Sequence, residues 1–167
     1  YYFSGSSDYL MSANTPTGNT FVVGTGNFTL EGWVYTQSTA AQGIFDLRAT
    51  TTNTAPYVYT TGANQIVYNS GTTAIISSAT TVPVANQWSH FALVRNAGTS
   101  TLYINGIQSG PQAVDSQNYA SIGNIIVGGA TGGAALFNGY ISDLRFAKAA
   151  RYTANNQSLP STPYLPK

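Results

Sequence analysis

Cysteine is absent from all 167 residues, so neither a disulfide nor a thiolate–metal centre is available. Charge is scarce too. Lys, Arg, Asp and Glu make up 7% of the chain, where roughly 25% is ordinary for a soluble domain. The net charge is +1, and the basic residues Arg48, Arg95, Arg145, Lys148, Arg151 and Lys167 are scattered. No stripe exists that would hold nucleic acid or an acidic membrane surface. Uninterrupted apolar runs are only a few residues long, so no inserted helix is expected. Glutamate and histidine each occur once, at Glu31 and His90. The chain opens at Tyr1 rather than Met, as expected of a processed product or a piece of something longer.

What is present is Thr, Ser, Asn and Gln, with 17 Gly and 12 Tyr. Tyr and the β-branched residues favour pleated, half-buried surfaces. In "NFTLEGWVY" (Asn27–Tyr35) Phe28, Leu30, Gly32 and Val34 share one parity, and Thr29, Glu31, Trp33 and Tyr35 the other. That is a strand period with aromatics on both faces. "GIFDLR", "PYVYTT", "QIVYNSG", "TAIISSA", "QWSHFALVRN", "STLYING", "SIGNIIVGG" and "FNGYISDLRFA" repeat the pattern at short spacing, separated by turn residues. Asn96–Thr99 and Asn105-Gly106 read as tight hairpin turns, whose two central residues need positive φ. Many short strands punctuated in this way predict an all-β sandwich. The sandwich is read over residues 1–149. Residues 150–167, with three of the seven prolines, read as an extended segment of the same domain, because proline cannot donate to an interior ladder. Only "AKAARY" is suited to a helical turn.

Motifs of this kind occur in a known order. "FSGSSDYL", "NFTLEGWVY", "GIFDLR", "QWSHFALVRN", "STLYINGIQSG" and "FNGYISDLRFAKAARYT" together resemble a laminin-G-like domain of the concanavalin A-like lectin/glucanase superfamily. The ending "RYTANNQSLPSTPYLP" is similar to a variant found in phage and bacterial structural proteins, from which Asn156-Gln157 departs. The resemblance implies a two-sheet antiparallel jelly roll of about a dozen strands. It implies structural roles for Trp33, Trp88 and His90, with the tryptophans in the core. It also raises calcium, which relatives bind through Asp, Asn and carbonyl oxygens. Asp115 with Asn118, in "VDSQNY", is the best local cluster, although one carboxylate is a poor set for an ion that takes six to eight oxygens. No cofactor is required.

Glycan-cleaving relatives need two cooperating carboxylates. Asp8, Glu31, Asp46, Asp115 and Asp143 are the only acids, and none are spaced as such a pair. No enzyme is expected. Asp46 and Asp143 are expected to pair with Arg48, Arg95 or Arg145. The reading placed first is a structural protomer of an extracellular or virion assembly, a fibre, filament or appendage. Its edge strands and termini would self-associate through Tyr1, Tyr2, Phe3, Tyr164 and Leu165. The alternative is a lectin-like carbohydrate-binding module that attaches to surface glycans, with Tyr57, Tyr59 and Tyr68 as stacking faces. Asn27 and Asn156 head the two N-x-[ST] triplets.

Overall fold

A computed structural model describes residues 1–12, 21–79, 85–120, 122–155 and 158. Two antiparallel sheets face each other. Sheet A runs β1 (Tyr2–Ser4), β13 (Asn138–Ala147), β3 (Phe28–Thr36), β8 (Trp88–Asn96), β9 (Thr99–Ile104) and β10 (Ile107–Gln108), with β11 (Ala113–Val114) also on β9. Sheet B runs β2 (Leu10–Met11), β12 (Ile126–Val127), β4 (Gln42–Asp46), β5 (Pro56–Thr60), β6 (Ile66–Ser70) and β7 (Thr73–Ser77). This is the jelly-roll sandwich expected. Among the described residues there is no helix, and the "AKAARY" segment continues from β13 without one. "SIGNIIVGG" supplies only the two residues of β12.

Alternation decides which side chains enter the core. Phe28, Leu30 and Val34 of β3, Phe91 and Leu93 of β8, and Leu102 and Ile104 of β9 point inward. They meet Ile44, Phe45, Val58, Ile66, Tyr68 and Ile76 of sheet B. The hairpin from β8 to β9 turns on Ala97 and Gly98, at φ 48° and 75°, and the next turns on Asn105 and Gly106, at 49° and 81°. These are the turns read from the sequence.

One irregularity places a functional side chain. Strict alternation from the inward Ile141 would send Asp143 and Arg145 into the core. A β-bulge between Ser142 and Arg145, with Asp143 at φ 50°, resets the parity. Leu144 and Phe146 then pack on the core, and Arg145 turns to the outer face of sheet A.

Candidate functional site

Tyr57 and Tyr59 sit two apart on β5 and leave sheet B on the face opposite the inward Val58. Their rings stack with centroids 4.8 Å apart and planes 11° from parallel. The Arg48 guanidinium carbon lies 3.9 Å from the Tyr57 ring centroid, making a three-layer column. That guanidinium is immobilised. Its Nε and Nη2 donate to Asp46 Oδ1 and Oδ2, each at 2.9 Å, and Nη1 donates to the carbonyls of Thr51 and Gly71. Thr131 adds its backbone N–H and hydroxyl to Asp46 Oδ2, at 2.9 and 3.0 Å. Burial pushes the Tyr57 phenol up to about 12; Arg48 pulls against the rise, while Asp46 and Tyr59 add to it.

Asn69 pairs with Tyr57 across β5 and β6, and its buried Oδ1 has no hydrogen-bond partner among the described residues. Beside the column a cavity of about 270 Å³ opens against Arg48, Thr131, Asn124 and Met11. At Gly43, the β4 partner of Tyr59, a Cβ would come within 2.3 Å of Gly129 O, so only glycine lets that loop close over the strand. The result is a column packed into the outer side of sheet B. Tyr57 is only 8% exposed, its ring covered by Tyr59 and Arg48, so it offers no free stacking face. Tyr59 is the one ring of the pair that is partly exposed.

Tyr68 does not join them. It pairs with Val58 across the strands and so points inward, fully buried. Its hydroxyl donates to Asp115 Oδ2 at 2.9 Å and meets the Tyr119 hydroxyl, which donates to Asp115 Oδ1 at 3.1 Å. Ser100 also donates to Oδ2, at 2.9 Å, and Arg95 Nη1 lies 3.6 Å from Oδ1. Arg95, fully buried, donates further to the carbonyls of Gly24, Gly26 and Gln117. Asp115 is therefore a core counter-ion that ties two loops to sheet A. Its oxygens face inward and Asn118 lies exposed, so the loop does not present them together as ligands. Among the described residues, no three His, Asp or Glu side chains gather at ion-binding distance.

A third cluster, which sequence reasoning missed, occupies the outer face of sheet A. Glu31 is buried there, where Arg145 Nε donates to Oε1 at 2.8 Å and the Tyr152 hydroxyl donates to Oε2 at 2.5 Å. His90 Nε2 is 3.4 Å from Oε2. Burial alone would raise this carboxyl, but His90, Tyr152 and Arg145 outweigh it and hold its pKa at about 2, down from 4.5. Of the expected ion pairs Asp46–Arg48 forms. Arg145 takes Glu31 instead of an aspartate, and Asp143 accepts from Ser142.

A family model described as the concanavalin A-like lectin/glucanases superfamily matches residues 4–155. The chain belongs to that superfamily. Among solved structures this superfamily member resembles a heptameric SAP-like pentraxin from Limulus polyphemus, at 17% identity and a TM-score of 0.63, covering 89% of this chain and 75% of that one. It resembles domains LG4-5 of the mouse laminin alpha1 chain at 15% identity and a TM-score of 0.67, covering 92% of this chain but 44% of the laminin chain. It also resembles the CBM40 of a Ruminococcus gnavus IT-sialidase bound to α2,3-sialyllactose, at 14% identity and a TM-score of 0.66, over 86% and 91%. At such identities the likeness is one of fold. No curated protein matches the chain.

The remaining expected positions fall into place on this superfamily fold. Phe3 is fully buried against Phe137 and closes its own sandwich, because β1 pairs with β13 of the same chain. It is not an assembly contact. Tyr1 and Tyr2 remain 63% and 49% exposed. Trp33 and Trp88 lie on the outer face of sheet A rather than between the sheets: Trp33 packs edge-on against His90, and Trp88 beside Tyr35 and Tyr140. Asn27 is exposed, but its amide braces the β8–β9 turn, bonding Asn96 Oδ1 and the Ala97 N–H. Asn156, Tyr164 and Leu165 lie outside the described residues.

Proposed function

We propose that this domain is an extracellular, non-catalytic carbohydrate-binding module. Its glycan surface is the outer face of sheet B, at the partly exposed Tyr59 ring and the recess beside Arg48 and Thr131. The Tyr59 ring, held in place by its stack on the buried Tyr57, carries the reading. Sugar rings present apolar faces to aromatic side chains and hydroxyls to nearby amides and hydroxyl groups. Here the Arg48 charge is answered by Asp46, so the surface suits a neutral glycan rather than an acidic one. The lectin-like fold and the sugar-bound CBM40 among its structural neighbours support this function over a purely structural role. Each acid is engaged by protein partners: Asp8 by Ser4 and Ser7, Glu31 by Arg145 and Tyr152, Asp46 by Arg48, Asp115 by Arg95 and Asp143 by Ser142. That supports binding without hydrolysis.

Calorimetry against neutral plant and bacterial polysaccharides tests the proposal. Saturable binding is expected, unchanged by EDTA and weakened about fivefold in Tyr59→Ala, the loss of one aromatic contact of about 1 kcal/mol. Binding that survives Tyr59→Ala moves the site elsewhere; no binding to any glycan removes the function. A second reading, self-association as a structural protomer, is favoured by the exposed Tyr2 on edge strand β1 and the exposed Tyr1 just before it. Sedimentation of the intact chain across a hundredfold dilution distinguishes it, since a monomer throughout would end it.

A further inference from the structure

After β13 the chain doubles back over the outer face of sheet A as a strap. Thr29 Oγ1 donates to the Ala149 carbonyl and accepts from the Arg151 N–H, at 2.7 and 3.0 Å. Ala150 and Tyr152 pack on Ala92, Val94 and Tyr103. Asn155 Oδ1 accepts from the Gln108 N–H at 2.9 Å, so the strap crosses the sheet from β3 to β10. Between strap and sheet lies a cavity of about 230 Å³, with Asn96, Thr99, Thr101, Gln112 and Thr153 around it and the rings of Tyr103 and Tyr152 as walls.

We propose that this cavity binds one neutral sugar ring, at a site separate from the face of sheet B. Three observations carry the proposal. First, among the described residues its lining holds no charged side chain: amides and hydroxyls supply both donors and acceptors, and the only aliphatic residue among them is Val94. An anion finds no cation there, and a lipid chain finds little apolar surface. A ring with several hydroxyls and one apolar face matches this set. Second, the volume falls below the roughly 300 Å³ at which sites for larger ligands begin, which limits the occupant to a single ring. Third, part of the wall is already fixed: Val94, Thr101 and Tyr103 are buried, while Asn96 and Gln112 stand exposed at the rim. Glu31 pins the Tyr152 hydroxyl, Gln112 Nε2 donates to the buried Thr101 hydroxyl at 3.0 Å, and Asn27 donates to Asn96 Oδ1 at 3.2 Å. A site ordered before binding loses less entropy when the ligand arrives.

The test is an amide-resolved NMR titration of the full chain with the methyl glycosides of glucose, galactose, mannose and N-acetylglucosamine. N-acetylneuraminic acid serves as the charged control. Saturable shifts at the amides of Thr99, Thr101, Tyr103, Gln112 and Thr153 are expected with at least one glycoside, at a Kd on the order of 1 mM for so small a ligand. Gln112→Ala and Thr101→Val should each weaken that binding about tenfold while their spectra stay dispersed. Tyr59→Ala should leave it unchanged, so failure here and failure of the sheet B site read out separately. Cavity amides unmoved by all four glycosides would overturn the proposal. So would shifts undiminished in both variants, or N-acetylneuraminic acid binding as tightly as the neutral rings.

Discussion

Each outer face of the sandwich carries one buried carboxylate bound to arginine, and the two pairs are built differently. On sheet B, Asp46 and Arg48 are two residues apart, and both are nearly sealed from solvent. On sheet A, Glu31 draws Arg145 from 114 residues away and Tyr152 from 121, and the Arg145 side chain remains 44% exposed. The local pair stiffens a spot on one face, and the spot becomes the base of an aromatic column. Glu31, beside its β13 register partner Arg145, also accepts from the Tyr152 hydroxyl and so fastens a separate length of chain across the sheet. Sheet A is therefore crossed by a strap with a small polar cavity beside it. On sheet B the ion pair and Tyr57 are buried, and Tyr59 is the partly exposed end of the column.

If this contrast is right, removing Asp46 should cost more than removing Glu31. Asp46→Asn strands a guanidinium whose side chain is 7% exposed, with two carbonyls as its remaining partners. Breaking one side of a buried pair costs about 3–5 kcal/mol, and the upper part of that range is expected in urea unfolding. The double variant Asp46→Asn, Arg48→Gln should recover part of the loss, since no charge is then left buried. A double variant no more stable than the single one would mean that Asp46 acts through Thr131 instead.

Glu31→Gln should cost about 3 kcal/mol, the lower end of the same range, because Arg145 and Arg151 can turn to water. Its signature is in the pH profile. The Glu31 carboxyl is held at about 2 in the fold against 4.5 ordinarily. A depressed carboxylate contributes stability that is full above pH 4.5 and disappears as pH falls through about 2. The wild-type and Glu31→Gln curves should therefore converge in that window, with strap amides losing exchange protection first. Parallel curves would show that the pair does not hold the strap.

How much of this could be read beforehand depends on sequence distance. Tyr57 and Tyr59 share a parity on one strand, so their common face was legible. Tyr68 was not, because its direction depends on the register that sets it opposite Val58. The two hairpin turns were plain in their Asn and Gly residues. Glu31 with Arg145 was hidden by the bulge at Asp143, a single added residue that reverses parity without any mark in the alternation. Asp115 resembled a loop ligand, since nothing local points to Arg95 twenty residues earlier in the core.

The phenol of Tyr57 gives the smallest effect and the finest comparison. Burial raises its pKa to about 12, whereas an unfolded tyrosine titrates near 10. A raised pKa contributes stability that is complete below pH 10 and fades as pH climbs toward 12, because the unfolded chain ionises first. At neutral pH, Tyr57→Phe should cost no more than about 1 kcal/mol, since the ring and its stack on Tyr59 remain. By pH 11 the wild type alone loses about another 1 kcal/mol from this group, so the gap between the two proteins should close or reverse. Difference absorbance between wild type and Tyr57→Phe isolates the one phenol. A transition near 12 would place Tyr57 under the Arg48 lid in solution, and one near 10 would mean that the column stands open to water.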